Sequence, residues 1–201
     1  MRIVFATGNA GKMREIKQIL GDIGMDVVSM KEAGYTSDPE ENGKSFEENA
    51  LIKARALSSI IKDNETIVMA DDSGLEVDAL NKEPGIYSAR YLGEDTPYSV
   101  KNKNIMDRLE GVEPEKRTAR FVAAIAAILP DGTEFTTRGT IEGKIGYEER
   151  GANGFGYDPI FYLPDMSMST AELPPEEKNK ISHRGRALES MRAKLSTAVA
   201  K

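Results

Sequence analysis

The sequence has no cysteine and no tryptophan, one histidine, and no apolar run that approaches the length of a membrane span. Without cysteine there can be no disulfide, thiolate metal ligand or thiol nucleophile, and a lone histidine removes the ordinary ligands of zinc centres. Any metal must be held by oxygen. Basic charge is also short: 27 Lys and Arg stand against 33 Asp and Glu, for a net charge of −6. A broad cationic surface for nucleic acid is therefore not expected, although a few local cations with Mg²⁺ suffice for a small phosphorylated ligand. The chain opens on the strand-like Arg2-Ile3-Val4-Phe5-Ala6, not on a leader-like pattern, so the expectation is a cytoplasmic protein with no membrane partner. With 201 residues, 39% hydrophobic and 30% charged, and no repeat or linker, residues 1–201 read as a single globular domain.

What is present is organised around Ile67-Val68-Met69-Ala70-Asp71-Asp72-Ser73-Gly74-Leu75. An apolar, β-type run meets two adjacent carboxylates, which reads as a buried strand delivering acids at its C-terminal end, where open α/β sheets keep their ligand sites. Neighbouring residues on a strand face opposite sides, so Asp71 and Asp72 should meet different surroundings, one serving structure and the other chemistry. The same residues also suit an Asx or Ser turn at the end of a strand.

Upstream, strand 2–6 runs through Thr7-Gly8-Asn9-Ala10-Gly11-Lys12 into a helix with Met13, Ile16, Ile19, Leu20 and Ile23 on its apolar face. A strand, a glycine-containing turn and a helix N-terminus offer backbone N–H groups to an anion, and Lys12 adds a charge. The Walker A spacing is absent, and Asn9 as an N-cap with Lys12 as a solvated charge explains the segment equally well. Val27-Val28 predicts a short strand, and 35–44 a polar loop carrying Glu40 and Glu41. Ser45 with Glu48 matches a capping box that opens a helix with Phe46, Ala50, Ala54, Leu57 and Ile61 inward, placing Asn49 and Lys53 one turn apart. Residues 97–109 read as a helix with Val100, Ile105, Met106 and Leu109 inward. The alanines of 119–128 allow a helix, but the turn Pro130-Asp131-Gly132 favours a hairpin continuing from Glu134 to Glu142. In 151–159 glycines alternate with aromatics, so Phe155 either presents its face to a flat ring or is buried in a tight loop. Ser182 predicts an N-cap that puts His183 and Arg184 in a first helical turn, where cations are unfavourable unless an anion or polar ligand meets them.

The set T-G-N-x-x-K at 7–12, S-F-E-E-N-A at 45–50, A-D-D-S-G-L at 70–75, P-G-I-Y-S-A-R-Y at 84–91, G-F-G-Y-D-P at 154–159 and K-N-K-I-S-H-R-G at 178–185 closely resembles the inosine/xanthosine triphosphate pyrophosphatase family. The resemblance runs from residue 2 to the final helix. It implies an elongated, two-lobed α/β domain with a central mixed twisted sheet flanked by helices and an active-site cleft between the lobes. It further implies hydrolysis of ITP, dITP and XTP to the monophosphate and pyrophosphate, with Mg²⁺ as cofactor, by a homodimer that binds no nucleic acid stably. Carried over position by position, Thr7, Gly8, Asn9, Ala10, Gly11 and Lys12 hold the triphosphate, while Glu40 and Asp72 position Mg²⁺. Asp72 accepts the proton of the attacking water and Ser73 contacts the substrate. Phe155, Gly156, Tyr157, Asp158, Lys178, His183 and Arg184 enclose and read the purine nucleotide, with Asn49, Lys53 and Asp71 in support. Relatives that carry tryptophan at the position of Tyr157, or glycine at that of Asn153, leave the ranking among the three substrates open.

Overall fold

In the computed structural model, which describes residues 1–199, the sheet contains strands β1 (Arg2–Phe5), β2 (Asp26–Ser29), β3 (Thr66–Val77), β4 (Thr118–Ile128), β5 (Glu134–Ile145) and β6 (Phe161–Tyr162). They lie in the order β2-β1-β3-β4-β5-β6. β1 pairs in parallel with β2 and β3, bringing Ile3 opposite both Val27 and Ile67. β5 and β6 are antiparallel, so the sheet is mixed. The helices are α1 (Ala10–Ile19), α2 (Phe46–Ile60), α3 (Tyr98–Arg108), α4 (Pro175–Ile181) and α5 (His183–Val199). Among the described residues no helix is long and apolar enough to cross a membrane.

β1 and the first half of β3 are apolar on both faces and buried on both, as parallel strands covered on each side must be. The alanine-rich 118–128 segment is a strand, not a helix. Its turn decides this: Gly132 takes φ +86°, and the Leu129 N–H donates to the Thr133 carbonyl at 2.9 Å, closing the hairpin to β5. The alanines suit a strand that is buried almost throughout, because small side chains let neighbouring elements approach closely.

The chain divides into two compact units, one of residues 1–72, 123–139 and 183–201, the other of 73–122 and 140–182. The first has a core of Ile3, Phe5, Ile16, Met69, Ile125 and Leu188. α5 is seated there by β5. Thr137 Oγ1 donates to the Ala187 carbonyl at 2.8 Å. Any side chain at Gly139 would collide with the His183 carbonyl and the Ala187 N–H. The second unit packs Leu75, Val77, Ile105, Leu109, Phe121 and Phe161 together.

α3 departs from the expected face. Ile105 and Leu109 are fully buried, but Val100 is exposed and Lys101 and Asn102 go inward instead. These two are buried because they find partners: Lys101 Nζ donates to the Ala89 carbonyl at 2.6 Å, and Asn102 Nδ2 to Glu149 at 2.7 Å. A hydrophobicity pattern cannot register polar side chains whose partners lie on other segments.

Candidate active site

Within the first unit, the ladder between β1 and β3 ends where Phe5 faces Met69. β3 then continues to Val77 through Asp71-Asp72-Ser73-Gly74, so the acids lie in mid-strand and not in a turn. They sit just beyond the C-terminal end of their parallel neighbour β1. This keeps the carboxyl-end rule for ligand sites although the strand itself runs on.

Alternation along the strand separates the two acids. The Asp71 side chain is wholly buried and meets two cations: Lys12 Nζ lies 2.5 Å from Oδ1, and Arg184 Nε donates to Oδ2 at 2.9 Å. Burial would raise its pKa, but Arg184 and Lys12 outweigh burial and hold the carboxyl far below the usual carboxylate range. Arg184 also donates from Nη1 to Glu15 and from Nη2 to Asp71, so each of its three nitrogens meets a carboxylate. Lys12 is depressed by burial, which Asp71 only partly offsets. Asp71, Glu15, Lys12 and Arg184 thus form a buried network of two acids and two bases that fixes the first turns of α1 and α5.

Asp72 has different company. Its Oδ1 accepts from Lys53 Nζ at 3.0 Å, and its Oδ2, although buried, has no hydrogen-bond partner among the described residues. Burial raises the Asp72 pKa despite the opposing pull of Lys53 and Lys12. Lys53 reaches Asp72 from the third turn of α2 and meets Glu41 Oε2 at 3.3 Å on the way. Burial alone would lower the Lys53 pKa, but Asp72 and Glu41 hold it raised.

α2 begins as its capping pattern requires, with Ser45 Oγ accepting from the Glu48 N–H at 3.1 Å. Glu48, however, reaches past Ser45 to the Lys44 N–H at 2.6 Å. One residue on, the buried Asn49 Oδ1 accepts from the Gly43 N–H at 2.9 Å. Gly43 must be glycine, since a Cβ there would sit 2.6 Å from that same oxygen. Two adjacent side chains of α2 therefore tie down the loop that carries Glu40 and Glu41. The loop turns Glu41 toward Lys53 and leaves Glu40 exposed.

The turn from β1 into α1 is closed by Thr7 and Asn9. Thr7 Oγ1 accepts from the Asn9 N–H at 3.1 Å, and Asn9 Oδ1 caps the helix at the Lys12 N–H, 3.0 Å away. Gly8, Asn9 and Ala10 are exposed, and a side chain at Gly8 would touch nothing within 4 Å.

In the second unit the 153–158 loop is held by Asp158. Its Oδ2 accepts from the Phe155 N–H at 2.9 Å and pairs with Lys178 Nζ at 2.5 Å, while Thr170 Oγ1 donates to Oδ1 at 2.8 Å. Gly154, at φ +71°, leaves room for that carboxylate, which a Cβ would strike. Phe155 is half-buried with Lys178 Nζ 5.3 Å from its ring centre, and Gly156 is likewise half-buried. Tyr157 is buried, donates to the Ser88 carbonyl at 2.7 Å and meets Tyr98 edge-on at 5.1 Å, so its ring serves packing. Ser88 Oγ in turn accepts the Leu75 N–H at 2.9 Å, bracing β3 just after Ser73.

Sequence reasoning singled out Lys12, Asn49, Lys53, Asp71, Asp72 and Arg184, and the fold gathers all of them in the first unit. Ser73, Phe155, Gly156, Tyr157, Asp158 and Lys178 fall in the second, and His183 is buried at the start of α5. Glu15, Ser88 and Thr170 were not singled out. For Glu15 the helix's own pattern held no signal, since the partner that draws it inward, Arg184, is 169 residues away.

The Ham1 family model matches residues 3–194. The chain belongs to the Ham1 family. A dITP/XTP pyrophosphatase of Bacillus licheniformis is 49% identical over 196 residues, covering 98% of each chain, and one of Exiguobacterium sibiricum is 45% identical over 197 residues, again covering 98% of each. The structure of the Staphylococcus aureus Ham1 protein superposes with a TM-score of 0.85 at 41% identity, over 98% of this chain and all of that one. The mixed sheet, the Asp71–Asp72 pair and the capped turn before Lys12 are thus set in a Ham1 fold from end to end.

Proposed function

We propose that this chain hydrolyses noncanonical purine nucleoside triphosphates, dITP, ITP and XTP, to the monophosphate and pyrophosphate, removing them from the nucleotide pool. The relatives named dITP/XTP pyrophosphatase, at 43–49% identity over nearly the whole chain, support the reaction and substrate class. The observation that carries the chemistry is Asp72: a buried carboxylate with raised proton affinity and one oxygen without a partner, flanked by lysines. A carboxylate so placed accepts a proton from water more readily than a solvated one, and it is the candidate general base for attack at the α-phosphorus. Lys12, Lys53 and the N-terminal N–H groups of α1 supply the positive charge that the triphosphate and the departing pyrophosphate require. Asp71 and Glu15 keep Arg184 in place.

Mg²⁺ is the cofactor in this reading, and the donor set fits it. Asp72 and a loop acid offer only oxygen, and a cationic nitrogen already lies between two carboxylates, Asp72 and Glu41. The loop geometry favours Glu41 over Glu40 as the second acid, because Glu41 is the one turned toward Asp72's lysine. When bound, Mg²⁺ supplies neutralisation of phosphate charge and a template for substrate oxygens.

Base selection is assigned to His183. A donor there accepts the 6-oxo group of hypoxanthine or xanthine and opposes the 6-amine of adenine. Arg184 contributes indirectly, because its three nitrogens already serve Asp71 and Glu15. His183→Ala should therefore lower the ITP-to-ATP ratio of kcat/KM, and an unchanged ratio would remove His183 from this role. The reading includes a cytoplasmic homodimer without a nucleic-acid partner. Exposed Tyr87, Leu92, Val100 and Tyr147 supply apolar surface for self-association, which sedimentation velocity would measure.

The central test is pyrophosphate release from dITP, XTP, dATP and dGTP, with and without Mg²⁺, for the wild type and Asp72→Asn. Mg²⁺-dependent release confined to dITP and XTP, and lost in the variant, is expected. Equal release from all four would overturn the substrate class, and full activity in Asp72→Asn the general base.

A further inference from the structure

Lys53 occupies a position that deepens the reading above and rests on its metal assignment. Its ammonium lies 3.0 Å from Asp72 Oδ1 and 3.3 Å from Glu41 Oε2, and its side chain is only 14% exposed. It thereby neutralises, in one place, the two carboxylates best placed to share a divalent cation. The other oxygen of the same carboxylate, Asp72 Oδ2, is buried and has no hydrogen-bond partner among the described residues. A purely structural ion pair would satisfy both oxygens of a buried acid, since an unmet buried acceptor is costly. Asp72 is instead left half satisfied.

We infer that Lys53 is a placeholder cation: it holds the Glu41–Asp72 pair together before the metal arrives, is displaced from it by the metal, and is then free to meet the substrate's phosphates. Two cations cannot share the pair without repelling each other across a few ångströms of partly desolvated space. Lysine suits such an exchange, since its charge sits on a flexible four-carbon stem and makes no fork-shaped, bidentate contact that must be broken as a unit. Arg184, bound to Asp71 by two of its nitrogens, shows the contrasting permanent arrangement one strand residue away. The root of Lys53 is meanwhile fixed, because Asn49, one turn earlier on α2, anchors the acidic loop at Gly43. Exchange therefore requires the lysine tip to move, with helix and loop in place.

The inference predicts opposite effects on metal and nucleotide. In Lys53→Met, which keeps the stem and removes the charge, Mn²⁺ should bind the nucleotide-free protein about tenfold more tightly than in the wild type, because its competitor is gone. The same variant should lose at least about tenfold in kcat/KM for dITP at saturating metal, since a phosphate partner is missing. Mn²⁺ binding is read by the loss of its free-ion paramagnetic resonance signal, independently of activity, on full-length protein whose folding is checked by its thermal transition. Unchanged or weaker Mn²⁺ binding in Lys53→Met overturns the placeholder role. Glu41→Gln and Asp72→Asn separate the two levels. If neither weakens wild-type Mn²⁺ binding, or if the wild type and Lys53→Met both bind none, the metal assignment fails and the inference with it. If both weaken it while Lys53→Met does not tighten it, the placeholder role alone fails.

Discussion

Adjacent residues on one strand can carry opposite duties, and Asp71 and Asp72 should separate them experimentally. Asp71 neutralises Lys12 and Arg184 together, so Asp71→Asn takes from both cations the carboxylate they share and leaves Glu15 to Arg184. Breaking a buried pair from one side costs about 3–5 kcal/mol, which a urea titration of Asp71→Asn should show. Asp72→Asn removes a half-satisfied acid and should change stability by less than about 1 kcal/mol while lowering kcat on dITP by about 10²–10⁴-fold. If both variants lost stability alike, the division of labour would be wrong. The loop acids offer a second residue-level contrast. Glu41→Gln should raise the Mg²⁺ concentration needed for half-maximal activity by about tenfold or more, and Glu40→Gln should barely move it, since only Glu41 shares Lys53 with Asp72. The reverse order would return the second ligand to Glu40.

At the scale of elements, the β1–α1 turn makes a prediction from empty space. Gly8 has no positive φ, is exposed, and a Cβ there would meet no atom within 4 Å, so the fold does not require glycine. Gly8→Ala should leave the melting temperature unchanged or slightly raised, because alanine reduces the freedom of the unfolded chain. It should still raise KM for dITP severalfold if the triphosphate backs directly onto that turn. An unchanged KM would place the phosphates elsewhere. The helices and strands were largely legible from periodicity and caps: Asn9, Ser45 and the Pro130–Gly132 turn all act as their residue types predict. Two readings were not. Asp71-Asp72-Ser73-Gly74 has the chemistry of a turn, yet β3 runs through it, because Lys12, Arg184 and Lys53 neutralise acids that would otherwise need solvent. α3 buries Lys101 and Asn102, whose partners Ala89 and Glu149 lie on other segments and leave no mark on the helix's own pattern. The same limit hid Glu15. Its partner Arg184 is 169 residues away, and only tertiary structure brings such a pair together.

For the whole molecule, the balance of near and far electrostatics sets how salt should act. The net charge is −6, so at long range the protein repels a nucleotide triphosphate, which is itself anionic. Attraction comes from charge held close to the carboxylates, above all Lys12 and Lys53, whose side chains are 17% and 14% exposed. Salt at 0.1 M screens interactions beyond about 10 Å but reaches partly buried groups much less. Raising ionic strength should thus weaken the distant repulsion more than the local attraction. A protein that grips a polyanion through many surface phosphate contacts instead loses about 10³–10⁵-fold in affinity between about 50 and 200 mM salt. Over that range, at fixed free Mg²⁺, kcat/KM for dITP should stay level or rise by up to about twofold. A fall of tenfold or more would mean that an extended basic surface takes part in binding, and would reopen the case for a nucleic-acid partner that composition argues against.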